Sequence, residues 1–356
     1  MEGAGPLSAT QPDDLFRVTG IGMPKISIIV CTYTLERYPD LKLLLESVIQ
    51  QNDDDLEVII VAEGSRELFL RLRDDLNDKH IDSTIAYYSR RLGISRARNE
   101  GVKLANSEVV SFIDDDAVLQ ENWKSAVLSS LEANPNILGV VGCTTPLWED
   151  KADAWFPVDF YWIIGCSQWR RWASPRLTKF GWGSNMTLHK SIFSFCRFPE
   201  DVSEGAHRLG KSGPVGDDTR FLHEATRISG RYLFYDPDTI AFHRVYRFRL
   251  SSRFIRKYAY WQGYTEAMFA SVLHAGRSRE DPQTTIIRGL LVYFFPELMR
   301  DFAGRPKTAL KKLGVLANSI TSFVGGYLSF KLRCIRQVFY HFVRSPHLTS
   351  KGDLHR

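Results

Sequence analysis

Four short runs of β-branched and other apolar residues, separated by stretches with helical spacing, constrain this chain more than any other feature. Ile26–Val30, Glu57–Val61, Thr84–Tyr88 and Val109–Ile113 each read as a strand. Between them, Leu41, Leu44, Leu45, Val48 and Ile49 recur at helical spacing, Glu67–Leu76 is helical in pattern, and a third helix is expected around Ser95–Ala105. Strands alternating with helices predict a mainly parallel sheet with right-handed crossovers, in which ligands gather at the carboxyl ends of the strands. The residues standing there are Thr32 and Tyr33 after the first strand, Glu63 after the second, and Asp114, Asp115 and Asp116 after the fourth.

Composition narrows the class further. With 356 residues, 44% of them apolar and 24% charged, the chain can bury a substantial core, which argues against disorder, collagen or a polytopic membrane protein. Its five cysteines, Cys31, Cys143, Cys166, Cys196 and Cys334, are odd in number and never form a C-x-x-C pair. That pattern argues against a disulfide framework or a cysteine zinc site and for a reducing compartment. Residues 1–23 are small and polar, without a basic start and apolar stretch, so they read as a mobile leader and not as a secretory signal.

Charge divides the chain. Residues 241–356 hold 20 Lys and Arg against six Asp and Glu, which leaves 26 against 35 for residues 1–240. A globular amino-terminal part is therefore expected to precede a tail that meets anions, whether nucleic acid, lipid headgroups or a phosphate-bearing substrate. Arg244–Lys257 interleaves six basic residues with apolar ones in a basic amphipathic pattern. Leu313–Phe330 is uncharged over 18 residues but contains Asn318, Ser319, Thr321, Ser322 and Ser329. It is barely long enough for a hydrocarbon core of ~30 Å, so an interfacial helix is the reading, with a single transmembrane helix at 313–330 as the alternative. Residues 144–182 carry six tryptophans, Trp148, Trp155, Trp162, Trp169, Trp172 and Trp182, fitting either an aromatic acceptor cleft or a packed subdomain.

Several residue groups have chemistry to offer. Three aspartates ending a buried strand repel one another and need either solvation or a cation, and oxygen ligands on a turn suit Mg²⁺ or Mn²⁺. Asp114 and Asp116 can face one ion; the alternative is an acidic turn that caps the next helix. Asp217 and Asp218 open an apparent helix at Thr219–Ile228, as a cap stabilised by the macrodipole or as a general base. His243 follows an apolar strand at Thr239–Phe242, as a packed imidazole or as a further Mn²⁺ ligand. Arg90, Arg91, Arg96 and Arg98 surround a helix start, forming either an exposed basic face or a diphosphate site.

The order of these pieces resembles the family 2 glycosyltransferases with the GT-A fold. The matching stretches are SIIVCTYTLERYPDLKLLLESVIQQ at 27–51, EVIIVAEGS at 57–65, GISRARNEGVKLANSEVVSFIDDDA at 93–117, GWGSNMTLHK at 181–190 and GDDTRFLHEA at 216–225. Within that family CTYTLERY, GISRARNEG, FIDDDAV and FPVDFYWIIGC resemble archaeal enzymes that add glucuronate to glucosyl-dolichyl phosphate. The resemblance implies a Rossmann-like α/β GT-A catalytic domain at 24–245, with a nucleotide-binding half at 24–117 and an acceptor half at 118–245, followed by a helical membrane-associating tail at 246–356.

It also implies roles. Thr32, Tyr33, Glu63, Arg98, Asn99, Asp114 and Asp115 would bind the nucleotide-sugar donor, with Glu63 in place of the family's base-binding aspartate. Ala62-Glu63 replaces the usual acidic pair, which loosens the inference to uridine and leaves a catalytically silent sugar-nucleotide or lipid-binding protein as the rival reading. Asp114, Asp116 and His243 would hold Mg²⁺ or Mn²⁺. Asp218 would be the base, and Trp182, Asn185 and Asp217 would meet a polyprenyl-phosphate-linked acceptor. The implied setting is the cytoplasmic face of the membrane, with the tail bound peripherally and no nucleic-acid partner, since no RNA- or DNA-reading motif is present.

Overall fold

The computed structural model describes residues 11–18, 25–51, 55–77, 79, 81–168, 173–200, 216–272 and 289–344, with side chains described through 336. Trp169, Trp172, residues 1–10 and 19–24, and the Gly/Pro-rich stretch at 210–215 lie outside the described residues.

Among them the chain forms one mixed sheet flanked by helices. Strands β1 (Asp14–Val18), β2 (Ile26–Thr32), β3 (Leu56–Glu63), β4 (Asp82–Tyr88) and β5 (Val109–Ile113) build one half in the order β1-β4-β3-β2-β5. β2 to β5 are parallel, as the sequence predicts, whereas β1 runs antiparallel along the edge of β4. The leader reading therefore fails for Asp14–Val18: alternate residues of this strand turn inward, and Phe16 packs on the core. Helices α1 (Tyr38–Ile49), α2 (Arg66–Asn77), α3 (Ile94–Leu104) and α4 (Trp123–Ala133) complete the crossovers.

The period-two pattern of the strands explains the layers. Ile26, Ile28 and Val30 face α1, α2 and α4 through Leu41, Leu44, Leu72 and Trp123. Ile29 and Ile59 point to the other side, where Val102 of α3 packs with Phe221 and Leu222 of α5 (Asp217–Ser229). A parallel sheet buried on both faces needs such near-continuous apolar strands.

The second half reverses direction. β6 (Ala117–Leu119), β7 (Gly139–Trp148), β8 (Arg176–Thr178), β9 (Asn185–His189) and β10 (Leu233–Val245) extend the sheet in the order β5-β9-β7-β10-β6, with β8 on the side of β10. β9 is antiparallel to both β5 and β7, and β6 is antiparallel to β10 in a register that sets His243 opposite Ala117.

The carboxyl-terminal helices α6 (Ser252–Val272), α7 (Phe295–Gly304) and α8 (Pro306–Arg344) share a third core with the tryptophan-rich segment. Phe160, Ile163 and Ile164 meet Ile255 of α6, Leu298 of α7 and Ala309, Val315 and Leu316 of α8, with Trp148, Trp155 and Trp162 packed around them. Of the two readings of residues 144–182, the packed subdomain describes these three tryptophans. α6 and α8 touch backbone to backbone: a Cβ on Gly326 would lie 1.9 Å from the Tyr260 carbonyl oxygen, and one on Gly263 2.0 Å from that of Phe323. Lys312, buried with Glu297 and Asp301, ties α8 to α7.

The basic stretch Arg244–Lys257 is not one amphipathic element. It is the end of β10, a short 3-10 turn at Arg247–Leu250 and the start of α6. Two of its arginines turn toward the amino-terminal half, Arg244 to Asp40 at 3.0 Å and Arg249 to Asp116 at 3.1 Å. A side chain that finds a buried carboxylate is no longer available to a lipid phosphate.

Candidate functional site

The site forms where β5 ends. Beyond Ile113 the chain turns, with the Ala117 N–H bonded to the Asp114 carbonyl, and re-enters the sheet as β6. The Arg244 N–H bonds to the Asp116 carbonyl at 2.8 Å, so the end of β10 lies against the aspartates. His243 Nε2 consequently sits 3.2 Å from Asp116 Oδ1 and 3.7 Å from Asp114 Oδ2. Asp114, Asp116 and His243 each aim a ligand atom into one space, all within 4.8 Å of one another.

These residues fit a divalent cation by an observation of their own. Asp116 Oδ1 is buried and lacks a hydrogen-bond partner, a costly state for an ionised oxygen unless a cation meets it. Burial first, and the nearby Arg249 charge second, push the His243 imidazole down to about 3, which keeps it neutral and able to donate a nitrogen lone pair. Two carboxylate oxygens and one imidazole form a donor set that a divalent cation can take.

Asp115 points elsewhere. Arg37, in the turn between β2 and α1, donates to its Oδ1 at 2.8 Å, and burial pushes the Asp115 carboxyl up to about 6 despite that partner. Thr32 is buried at the end of β2, and Tyr33 next to it is exposed, with the Arg91 guanidinium 3.6 Å from its ring centre. Glu63, ending β3, accepts hydrogen bonds from the Leu92 and Gly93 N–H groups through one oxygen, fixing the loop that leads into α3.

The second acidic pair joins the first through Arg98. This buried side chain of α3 reaches Asp217 at 3.0 Å, Asp114 at 3.5 Å and the Gly183 carbonyl at 3.3 Å. Gly183 is required for that approach, because a Cβ there would come within 2.4 Å of the guanidinium. Asp218, beside Asp217 in the first turn of α5, accepts from the Gly183 N–H at 2.9 Å and the Thr219 N–H at 2.7 Å. Burial first, then the Asp217 charge, push the Asp218 carboxyl up to about 6, in the range of a general base that works near neutral pH. Asp114, Asp115, Asp116 and Asp217 thus pair with the three guanidiniums of Arg37, Arg98 and Arg249.

Not every residue expected here belongs here. Asn185 is buried, accepts from Trp123 Nε1 at 3.0 Å and spends both amide hydrogens on the Cys143 and Thr239 carbonyls. It pins α4, β7 and β10 together and has no donor left for an acceptor. Asn99 is likewise spent, clasping the Phe198 backbone in both directions and Glu200 at 3.1 Å, so it holds a loop instead of a donor. Trp182 is half-buried against the core beside Gly183. Conversely, Arg37 and Arg249 enter the site unforeseen. The sequence shows one as an ordinary residue of TLERY and the other as one of several tail arginines, and neither position carries a spacing signal. Tyr258 of α6 is also close enough for Asp218, Asp217 and Asp114 to affect it, burial and these charges pushing its hydroxyl up to about 12.

The family model of Glycosyl transferase family 2 matches residues 27–197, from β2 to the segment that follows β9. Over these residues, just under half of its length, the chain is similar to the family 2 glycosyltransferases. Among similar proteins is the glucosyl-dolichyl phosphate glucuronosyltransferase of Haloferax volcanii, 28% identical over 312 residues, which span 85% of this chain and 95% of that one. A stretch of 123 residues is 30% identical to the uncharacterised glycosyltransferase EpsJ of Bacillus subtilis, covering 34% of each chain. Among solved structures, the mannosyltransferase PcManGT from Pyrobaculum calidifontis, in complex with GDP-Man and Mn²⁺, aligns at 15% identity with a TM-score of 0.49, covering 88% of this chain and 91% of that one.

Proposed function

We propose that this protein is a metal-dependent, inverting family 2 glycosyltransferase. It moves a sugar from a nucleoside diphosphate, with UDP-glucuronate the leading candidate, to a sugar carried on a polyprenyl or dolichyl phosphate. The observation that carries the reaction is the convergence of Asp114, Asp116 and His243 with Asp217 and Asp218 around Arg98. The similarity to the Haloferax glucuronosyltransferase over most of both chains supports the donor and acceptor classes.

The chemistry follows from the groups present. Asp114, Asp116 and His243 would hold a divalent ion, which when bound would supply charge neutralisation to the leaving diphosphate. Asp218 takes the proton of the acceptor hydroxyl as its oxygen attacks the anomeric carbon from the side opposite the leaving group. A single in-line displacement inverts that carbon. Arg98 fixes the spacing of the two acidic pairs by holding Asp217 at 3.0 Å, and Asp217 would meet the acceptor. Tyr33 and Thr32 border the nucleoside, with Glu63 behind them.

The carboxyl-terminal helices support a peripheral seat on the cytoplasmic membrane surface. α8 is the one described helix long and apolar enough to cross a bilayer, but it packs along α6 through Gly263 and Gly326, and α6 rests on the catalytic half near Gly216. Leu310, Leu313, Ile320, Val324, Leu328, Leu332 and Ile335 are all exposed. At ~100° per residue they fall within an arc of about 120°, a stripe ~38 Å long. An apolar stripe of this kind suits a helix lying in the interface. The deciding assay is diphosphate release from a panel of nucleotide sugars with a polyprenyl-phosphate-linked sugar as acceptor. Release that requires both Mn²⁺ or Mg²⁺ and the lipid acceptor is expected; a protein that binds donors and never releases diphosphate would be a silent binder.

A further inference from the structure

A cavity of about 360 Å³ lies outside the site described above, between the carboxyl-terminal half of α3 and the short 3-10 turn at Lys190–Ser194 that follows β9. β5 and β9 pair there with Val109 opposite His189, and the next residue outward on each strand, Glu108 and Lys190, lines the cavity. The acidic turn begins at Asp114, beyond the other end of β5, so a strand of five residues, about 16 Å, separates the two places. An occupant of the cavity does not meet the reacting atoms.

The charge of its lining is mainly positive. Lys103, Lys190 and Arg197 meet there against one carboxylate, Glu108, and Ser191 adds an exposed hydroxyl. Two of the cations are held: Lys190 Nζ donates to the Ala105 carbonyl at 2.7 Å, and Lys103 Nζ lies 2.8 Å from Glu100. Arg197 is exposed and forms no ion pair among the described residues. A guanidinium offers a planar fork to phosphate oxygens and ammonium groups offer point charges, so the set suits a phosphate group. A bare phosphate would leave most of the space empty, since sites for small organic molecules hold ~300–1,000 Å³. Val102 and Phe193 supply apolar wall for the remainder of a larger ligand. That wall is already in place: Asn99 clasps the Phe198 backbone, and Phe193 stacks on Phe221 of α5 with ring centres 5.3 Å apart.

We propose that this cavity is a second anion site, which takes a soluble phosphomonoester about as large as a sugar phosphate, its phosphate held by Arg197, Lys103 and Lys190. No residue lining it belongs to α8, whose exposed apolar stripe is the element assigned to the membrane, so the occupant is a soluble molecule and not a lipid headgroup. The inference does not depend on the glycosyl transfer proposed above.

The test is calorimetry on the full chain with glucose 6-phosphate as the probe, titrated with and without saturating UDP and Mn²⁺. Binding with a Kd of about 1 mM or tighter is expected, equal in both conditions, whereas glucose should give no measurable binding. Arg197→Gln, a change at an exposed side chain, should weaken the sugar phosphate ~10-fold, and adding Lys103→Gln should weaken it further, because each removes a charge-assisted hydrogen bond. Arg73→Gln, an equal loss of charge on α2, should leave the affinity unchanged. Competition by UDP would place the phosphate in the cleft beside Asp116 and overturn the assignment. Equal weakening by Arg73→Gln would mark general attraction to surface charge and overturn it too. Glucose binding as tightly as its phosphate, an Arg197→Gln protein with wild-type affinity, or no binding up to about 10 mM would each end the proposal.

Discussion

Replacing Asp218 by Asn separates what this carboxylate does for the reaction from what it does to the fold. Burial and the Asp217 charge lift its carboxyl from 3.8 to about 6, so the folded protein disfavours the ionised form by ~3 kcal/mol relative to the unfolded chain at neutral pH. The sign is that of a raised acid: stability associated with this group is complete below about 3.8 and is lost as pH rises through about 6. Asn carries no charge and keeps one oxygen, which can accept from the Gly183 or the Thr219 N–H but not from both, because these bond to different oxygens of Asp218. The lost acceptor costs about 1–3 kcal/mol at every pH, whereas the charge effect depends on pH, so the stability of the variant relative to wild type should improve by up to ~3 kcal/mol from pH 4 to pH 7.5. Its kcat should fall ~10²- to 10⁴-fold because the acceptor proton has no base. In wild type kcat/KM should rise tenfold per pH unit up to about 6 and then level, and the variant should lack that rise. Diphosphate release followed from pH 5 to 8, together with calorimetric melts at pH 4 and pH 7.5, reads all of this. Turnover within tenfold of wild type, or a stability difference that stays the same between pH 4 and pH 7.5, would refute the assignment of Asp218 as a buried, destabilised base.

Three further outcomes follow from the geometry. Asp116→Ala should abolish Mn²⁺ binding measured by paramagnetic resonance, since Asp116 supplies the buried, unpartnered oxygen; retention of wild-type affinity would move the metal elsewhere. Gly326→Leu would drive a side chain into the Tyr260 carbonyl and should lower stability by ~1–3 kcal/mol, visible in a denaturant melt, whereas Gly314→Ala, with open space around it, should not. The paired change Ile320→Asp and Val324→Asp should reduce flotation with anionic liposomes while leaving diphosphate release from a water-soluble acceptor unchanged; undiminished flotation would remove α8 from the membrane surface.

The sequence by itself determined the nucleotide-side sheet and the carboxylates at its strand ends. Each apolar run from Ile26 to Ile113 is short, β-branched and followed by a helical repeat, so local pattern and final topology agree there. Asp114 and Asp116 stood out as carboxylates ending a buried strand, whereas Asp218 and His243 drew their expected roles from the family resemblance alone. What the tertiary structure alone decided is which polar side chains face one another. Asn99 and Asn185 sit inside suggestive motifs yet spend their hydrogen bonds on the Phe198, Cys143 and Thr239 backbone. Arg249, six residues past His243 in a run that read as a membrane-seeking tail, lies on Asp116 because the short turn at Arg247–Leu250 folds it back. The strand at Asp14–Val18 and the glycine contact of α6 with α8 have the same origin. An edge strand and a helix crossing exist only once a partner surface is present, and hydrophobic periodicity reports the face that is buried without naming what covers it.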